Sequence, residues 1–179
     1  MLLRAAGAGG AVAGMGVVGH RSTPVAEAQG HNHDVVAGPL ASTTVSFGQW
    51  STDPPFDRFP NVVPPADRNV HLLTPNMPTI KAGGSVNFVI AGLHNVQIFE
   101  AGHTPGAINA GLTIPMTGPP GLPIINDPVG RIYRGPDPSL LPLDRVEVVQ
   151  LTRPGTYLVI CGFLFHFLDN MFGFVKVLP

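Results

Sequence analysis

Charge is scarce in this chain. Asp, Glu, Lys and Arg make up only 12% of its 179 residues, and 10 basic against 11 acidic side chains leave a formal net charge of -1. No basic run stands out, which argues against nucleic acid or an anionic membrane face as the main partner. A hydrophobic fraction of 44% argues against long charge-rich disorder as well. Cysteine occurs once, at Cys161, so no internal disulfide can form. Helical periodicity is absent over any long window. What abounds is punctuation, with 22 glycines and 20 prolines. The length suits one domain with a real core.

The amino terminus reads as an export segment over residues 1–28. Arg4 gives a short positive start, a weakly apolar Ala/Gly/Val stretch runs from Ala5 to Gly19, and Ala26-Glu27-Ala28 is an A-x-A cleavage site. The stretch is about 15 residues, short of the roughly 20 that span a bilayer. An exported protein is therefore expected, periplasmic or otherwise extracytoplasmic. It would have no stable membrane span after processing, and membrane association only with the segment uncleaved. Residues 29–40 read as a flexible tail. Cleavage after Ala28 would put His31 third, where an amino terminus, two amides and an imidazole can wrap Cu(II). A polar tail is the preferred reading of His31-Asn32-His33.

Residues 41–179 read as one all-β domain. Short β-branched and apolar runs recur between Gly/Pro clusters. Strands are expected at Thr43–Phe47, Val70–Leu73, Ser85–Ala91, Val96–Phe99, Val146–Leu151, Thr156–Cys161 and Phe172–Leu178, with Thr79–Gly84 as a turn. Seven or eight such strands without helical partners imply a β-sandwich. Two Pro-rich stretches exceed a minimal sandwich: Ser51–Asn69, a surface loop, and an insertion at about 101–144. Within the latter, Pro138–Leu143 suits a helical turn.

Chemistry concentrates after Cys161. A thiol, an imidazole and a thioether recur as C-x4-H-x4-M at Cys161, His166 and Met171, between two expected strands. A hairpin loop of that size can fold all three around one point. His94, at the end of the Ser85–Ala91 strand, supplies a second imidazole. Two imidazoles, a thiolate and a weak axial thioether form the trigonal site that suits copper in electron transfer. Thiolate and thioether favour Cu(I), imidazole also accepts Cu(II), and an intermediate geometry keeps reorganisation small. Each residue alone has a bland reading: a buried cysteine, a surface histidine, a core methionine. Their joint order makes coincidence improbable. His103 lies in a loop without strand support, so His94 is preferred; His71 reads as a strand residue without a partner. Met77 and Met116 sit among prolines.

With His94-Asn95, Pro154-Gly155-Thr156-Tyr157, Cys161, His166 and Met171 in this order, the chain resembles the type 1 (blue) copper proteins, the plastocyanin/azurin cupredoxins. Its ligand loop is most similar to that of the rusticyanin and auracyanin group. The resemblance implies a cupredoxin-like Greek-key β-sandwich holding one copper ion. It implies His94, Cys161 and His166 as equatorial ligands and Met171 as the axial one. It further implies that the Asn95 side chain ties the ligand loops together and that the Tyr157 hydroxyl bonds back to the backbone. Phe165 and Phe167 would flank an apolar patch through which electrons pass. The likeness covers Pro78–Phe99 and Val146–Leu178. It departs at Asp169-Asn170, where many members carry glycine before the methionine, and at Leu93, where glycine would precede His94.

The expected function is single-electron transfer between redox partner proteins, through encounters only weakly dependent on salt. The apolar Phe163–Phe172 surroundings disfavour the more charged Cu(II) state and imply a high reduction potential. A copper-storage or delivery protein would use the same ligands. A copper enzyme would need further histidine clusters, a two-copper centre would need a second cysteine, and zinc is disfavoured by the thioether.

Overall fold

The computed structural model describes residues 37–48, 71–119 and 121–179. The export segment expected at 1–28, most of the 29–40 tail and the Ser51–Asn69 loop lie outside the described residues. Among the described residues there are eleven strands: β1 (Ser42–Gly48), β2 (Leu73–Thr74), β3 (Thr79–Lys81), β4 (Gly84–Ala91), β5 (Val96–Ala101), β6 (Thr113–Pro115), β7 (Pro123–Ile125), β8 (Arg131–Arg134), β9 (Asp144–Leu151), β10 (Gly155–Cys161) and β11 (Phe172–Leu178). A short helix, α1 (Leu164–Leu168), interrupts the pattern.

Alternation along the strands creates the two-sheet arrangement. In β4, Val86, Phe88 and Ile90 point inward and are fully buried, while the residues between them are half-buried. The first sheet has the order β2-β1-β4-β9 and the second β3-β11-β10-β5-β8. β1 runs parallel to β4 and β3 parallel to β11, whereas the other pairings are antiparallel. Val45, Phe47, Phe88 and Ile90 of the first sheet join Ile98, Val159, Val175 and Val177 of the second in one core cluster. This is the expected all-β sandwich. The Tyr157 hydroxyl donates to the Arg153 carbonyl at 2.8 Å, pinning the approach to β10.

Three details differ from expectation. Thr79–Lys81 is a strand beside β11 rather than part of a turn, because its backbone completes the edge of the second sheet. The Val70–Leu73 strand is instead the two-residue β2, which pairs with the end of β1. The 101–144 stretch is built structure. It contributes β8 to the second sheet, the β6–β7 hairpin, and 3-10 turns at Pro105–Ala107 and Pro138–Leu140.

That stretch explains why β5 and β10 are buried on both faces. Their outer residues Phe99, Leu158 and Ile160 pack with Ile108 and Ile125 in a second cluster. Covering such side chains contributes about 1.5–3 kcal/mol each. The described residues belong to a compact unit spanning Asp34–Pro179. Among them, no helix is long and apolar enough to cross a membrane.

Candidate metal centre

Four pieces of chain meet at one end of the second sheet. Cys161 closes β10, and its N–H donates to the Met171 carbonyl at 2.9 Å, so the intervening loop is cinched at its base. Inside that loop α1 forms in place of a plain hairpin turn. The Phe167 N–H donates to the Phe163 carbonyl at 2.9 Å, and the Met171 N–H to the His166 carbonyl at 2.9 Å. Asn170 stands at φ 63, the left-handed turn that glycine would otherwise fill and that asparagine tolerates best among the rest. The departure at Asn170 thus keeps the backbone path the loop requires.

His94 sits between β4 and β5. Its ring rests over Gly48 of β1, where φ is +116 and a Cβ would stand 2.5 Å from the Ala91 carbonyl and 3.0 Å from His94 Nε2. The Arg145 guanidinium donates to the His94 carbonyl at 2.7 Å and pairs with Glu147 at 2.8 Å. Neither Gly48 nor Arg145 carries a sequence signal, since both act across strands.

The three donor atoms form a closed triangle. His94 Nδ1 lies 3.2 Å from His166 Nδ1, and Cys161 Sγ lies 3.7 Å from the first and 3.4 Å from the second. A point equidistant from all three falls about 2.0 Å from each, against roughly 2.0–2.3 Å for metal–imidazole and metal–thiolate bonds. All three residues are buried, His166 at 6% exposure and the others at 0%. Met171 is also fully buried and belongs to the same core cluster as Cys161 and Phe163.

Electrostatics match this geometry. Burial, followed by the neighbouring His166, His71 and Arg145 charges, holds His94 well below the usual histidine range. Burial, with His71, lowers His166 to about 4 against the opposing pull of Asp169. The Cys161 thiol is pushed up to about 12, chiefly by burial. Two neutral imidazoles thus offer lone pairs without competition from protons at neutral pH. A thiolate in this pocket needs a cation to stabilise it. The donor set fits a soft, imidazole-accepting metal such as copper.

Asn95 works differently from its expected role. Its side-chain amide donates to the Gly135 and Pro136 carbonyls at 3.0 Å each, and its oxygen accepts from Gln97 Nε2 at 3.0 Å. The tie to the Cys161 loop runs through its backbone, whose carbonyl accepts from the Gly162 N–H at 2.6 Å. Gln97 also donates to the Ile125 carbonyl at 2.7 Å, and the Ile125 N–H to the Gly162 carbonyl at 2.7 Å. The 101–144 stretch therefore braces the ligand loop.

Of the two expected patch residues, Phe165 is 57% exposed, whereas Phe167 is half-buried and turned onto Phe172. Helical spacing puts Leu168, 62% exposed, beside Phe165 instead. His103 stacks on Phe99 at 5.7 Å and takes no part in the triangle. His71, expected to lack a partner, bonds to Asp169 at 2.5 Å and lies over His166. Sequence spacing gave no hint of it.

No protein-family model matches the chain, and no curated protein does. Similar solved structures include two auracyanins and a pseudoazurin. Dithionite-reduced auracyanin from Roseiflexus castenholzii is 19% identical, with a TM-score of 0.49 over 79% of this chain and 100% of that one. Auracyanin B is 20% identical, with a TM-score of 0.47 over 81% and 94%. Pseudoazurin from Methylobacterium extorquens is 18% identical, with a TM-score of 0.38 over 77% and 76%.

Proposed function

We propose that this protein is a single-electron carrier with one copper ion in a type 1 site. His94, Cys161 and His166 would hold it, with the thioether of Met171 as a further, weaker donor. The observation that carries this reading is the buried triangle of two imidazole nitrogens and one sulfur. Bound copper would supply a one-electron Cu(I)/Cu(II) couple there. The protein contributes preorganisation. Gly48 and Arg145 seat His94, the Met171 carbonyl and the Asn95 carbonyl brace the base of the loop, and Phe163 shields His166 at 5.3 Å. A dry, braced pocket keeps the ligands still as charge changes and disfavours Cu(II), which raises the potential.

Phe165 and Leu168 form the small apolar face on which a redox partner protein would dock briefly. Residues 1–28 support an extracytoplasmic setting.

The test is the visible spectrum with one equivalent of Cu(II), beside Cys161→Ser and Met171→Gln. An intense blue or purple band, bleached by ascorbate, lost in the serine variant and shifted in the glutamine variant, is expected. A colourless protein that binds only Cu(I) would move the assignment to copper delivery, and no copper binding would overturn both.

A further inference from the structure

His71 has no part in the ligand set, yet it reaches the centre from the opposite sheet. It stands just ahead of β2, and its ring lies over that of His166 with centroids 4.1 Å apart and planes 31° from parallel. It meets His94 edge-on, at 6.5 Å and 90°. Its Nδ1 faces Asp169 Oδ2 at 2.5 Å. An ionised carboxylate only accepts, so the imidazole Nδ1 donates. Asp169 follows α1 directly, three residues beyond His166. The pair therefore joins an edge strand of the first sheet to the ligand turn of the second. It also gives a use to Asp169, one of the two residues at which the loop departs from its relatives' glycine.

Imidazole rotation about χ2 is soft, with broad wells, so a histidine ligand needs a neighbour to fix its plane. On one side of His166 that neighbour is Phe163, at 5.3 Å and 50°. The closer and flatter contact is His71, whose own side chain remains 26% exposed while His166 is 6% exposed. Water is thereby kept from the ligand ring by a side chain that itself reaches solvent.

Resting on the copper reading above, we propose that His71, pinned by Asp169, is a positioning residue that clamps the plane of His166 and caps it against water. The two residues act as one unit, because the Asp169 carboxylate is the partner that holds the His71 ring over His166.

The experiment uses the full chain, metal-free and copper-loaded, with His71→Ala, Asp169→Ala, the double variant and His71→Phe. Far-ultraviolet circular dichroism checks that each is folded. Cu(II) affinity is read by competition with a chelator, together with the visible band and the reduction potential. His71→Ala is expected to weaken Cu(II) binding about tenfold, the usual scale for residues that orient metal ligands. It should also shift the band and the potential. Asp169→Ala should share that loss, and the double variant should be no worse than the worse single. His71→Phe keeps a ring over His166 without the hydrogen bond and should recover part of the affinity. Unchanged affinity and spectrum in folded single variants, or losses that add in the double variant, would overturn the clamp. A wild-type protein without a copper band would instead sink the copper reading. In that case the clamp is judged on the metal-free protein, where His71→Ala must move the His166 ring resonances in imidazole nitrogen NMR; unmoved resonances would sink it too.

Discussion

At Gly162, beside the single cysteine, there is no room for a side chain. A Cβ would stand 2.3 Å from both Asn95 Oδ1 and Gln97 Nε2, two amide groups that bond to each other and, through Gln97, to the Ile125 carbonyl of the brace. Gly162→Ala must push these buried amides apart and leave at least one polar atom unsatisfied. A loss of about 2 kcal/mol is expected, within the range for a buried unpaired group. Chemical denaturation of the metal-free protein measures it; a loss below about 0.5 kcal/mol, the scale of ordinary surface substitutions, would mean that the amides do not hold the loop. Glycine here is chosen by crowding, whereas at Gly48 both crowding and a φ of +116 exclude other residues.

Among the elements, the 101–144 stretch matters most for the centre. Its Pro138–Leu140 turn is capped by Asp137, which accepts from the Thr117 N–H at 2.7 Å, the Ser139 N–H at 2.9 Å and the Ser139 hydroxyl at 2.7 Å. The turn follows immediately on the Gly135 and Pro136 carbonyls that receive the Asn95 amide. Burial alone would push the Asp137 carboxyl up, but the hydrogen bonds from Thr117 and Ser139 outweigh it and hold the group at about 2. A carboxyl depressed on folding stabilises the protein above its unfolded pKa, near 4. That contribution fades as pH falls from about 4 towards 2. Asp137→Ala is expected to cost about 1 kcal/mol at pH 7, as lost caps do. The gap between variant and wild type should shrink steadily from pH 4 and close as pH reaches about 2, as read from urea titrations at several pH values. A gap independent of pH would show that the carboxylate is not what caps the turn.

At the scale of the molecule, the centre and the core are one structure. Cys161 and Met171 belong to the same cluster as Phe47 and Phe88, so whatever orders these two side chains orders the sandwich. Copper bound to the folded state alone should therefore raise global stability. At a hundredfold excess over its Kd the gain is about 2.7 kcal/mol. For a chain of this size that is about 5–10 °C in melting temperature. Differential scanning calorimetry with and without Cu(II) measures the shift, and Cys161→Ser should abolish most of it. An equal shift in that variant would place the metal elsewhere.

Some of this was decided locally and some was not. Strand alternation in β4, β9 and β11 is a property of neighbouring residues, so the all-β class is legible from the chain alone. The same holds for Cys161, His166 and Met171, whose spacing lies within one loop. β8 and β3 were not legible, because short edge strands exist by pairing with a neighbour rather than by their own pattern. Phe167 and Phe165 look alike in sequence, and only the helical turn of α1 decides which one faces solvent. His71 is separated from Asp169 by 98 positions, and Arg145 from His94 by 51. Contacts at that range depend on how the two sheets close over one another, so the candidate donors were written in the sequence while their supports were settled only by the packing of the sandwich.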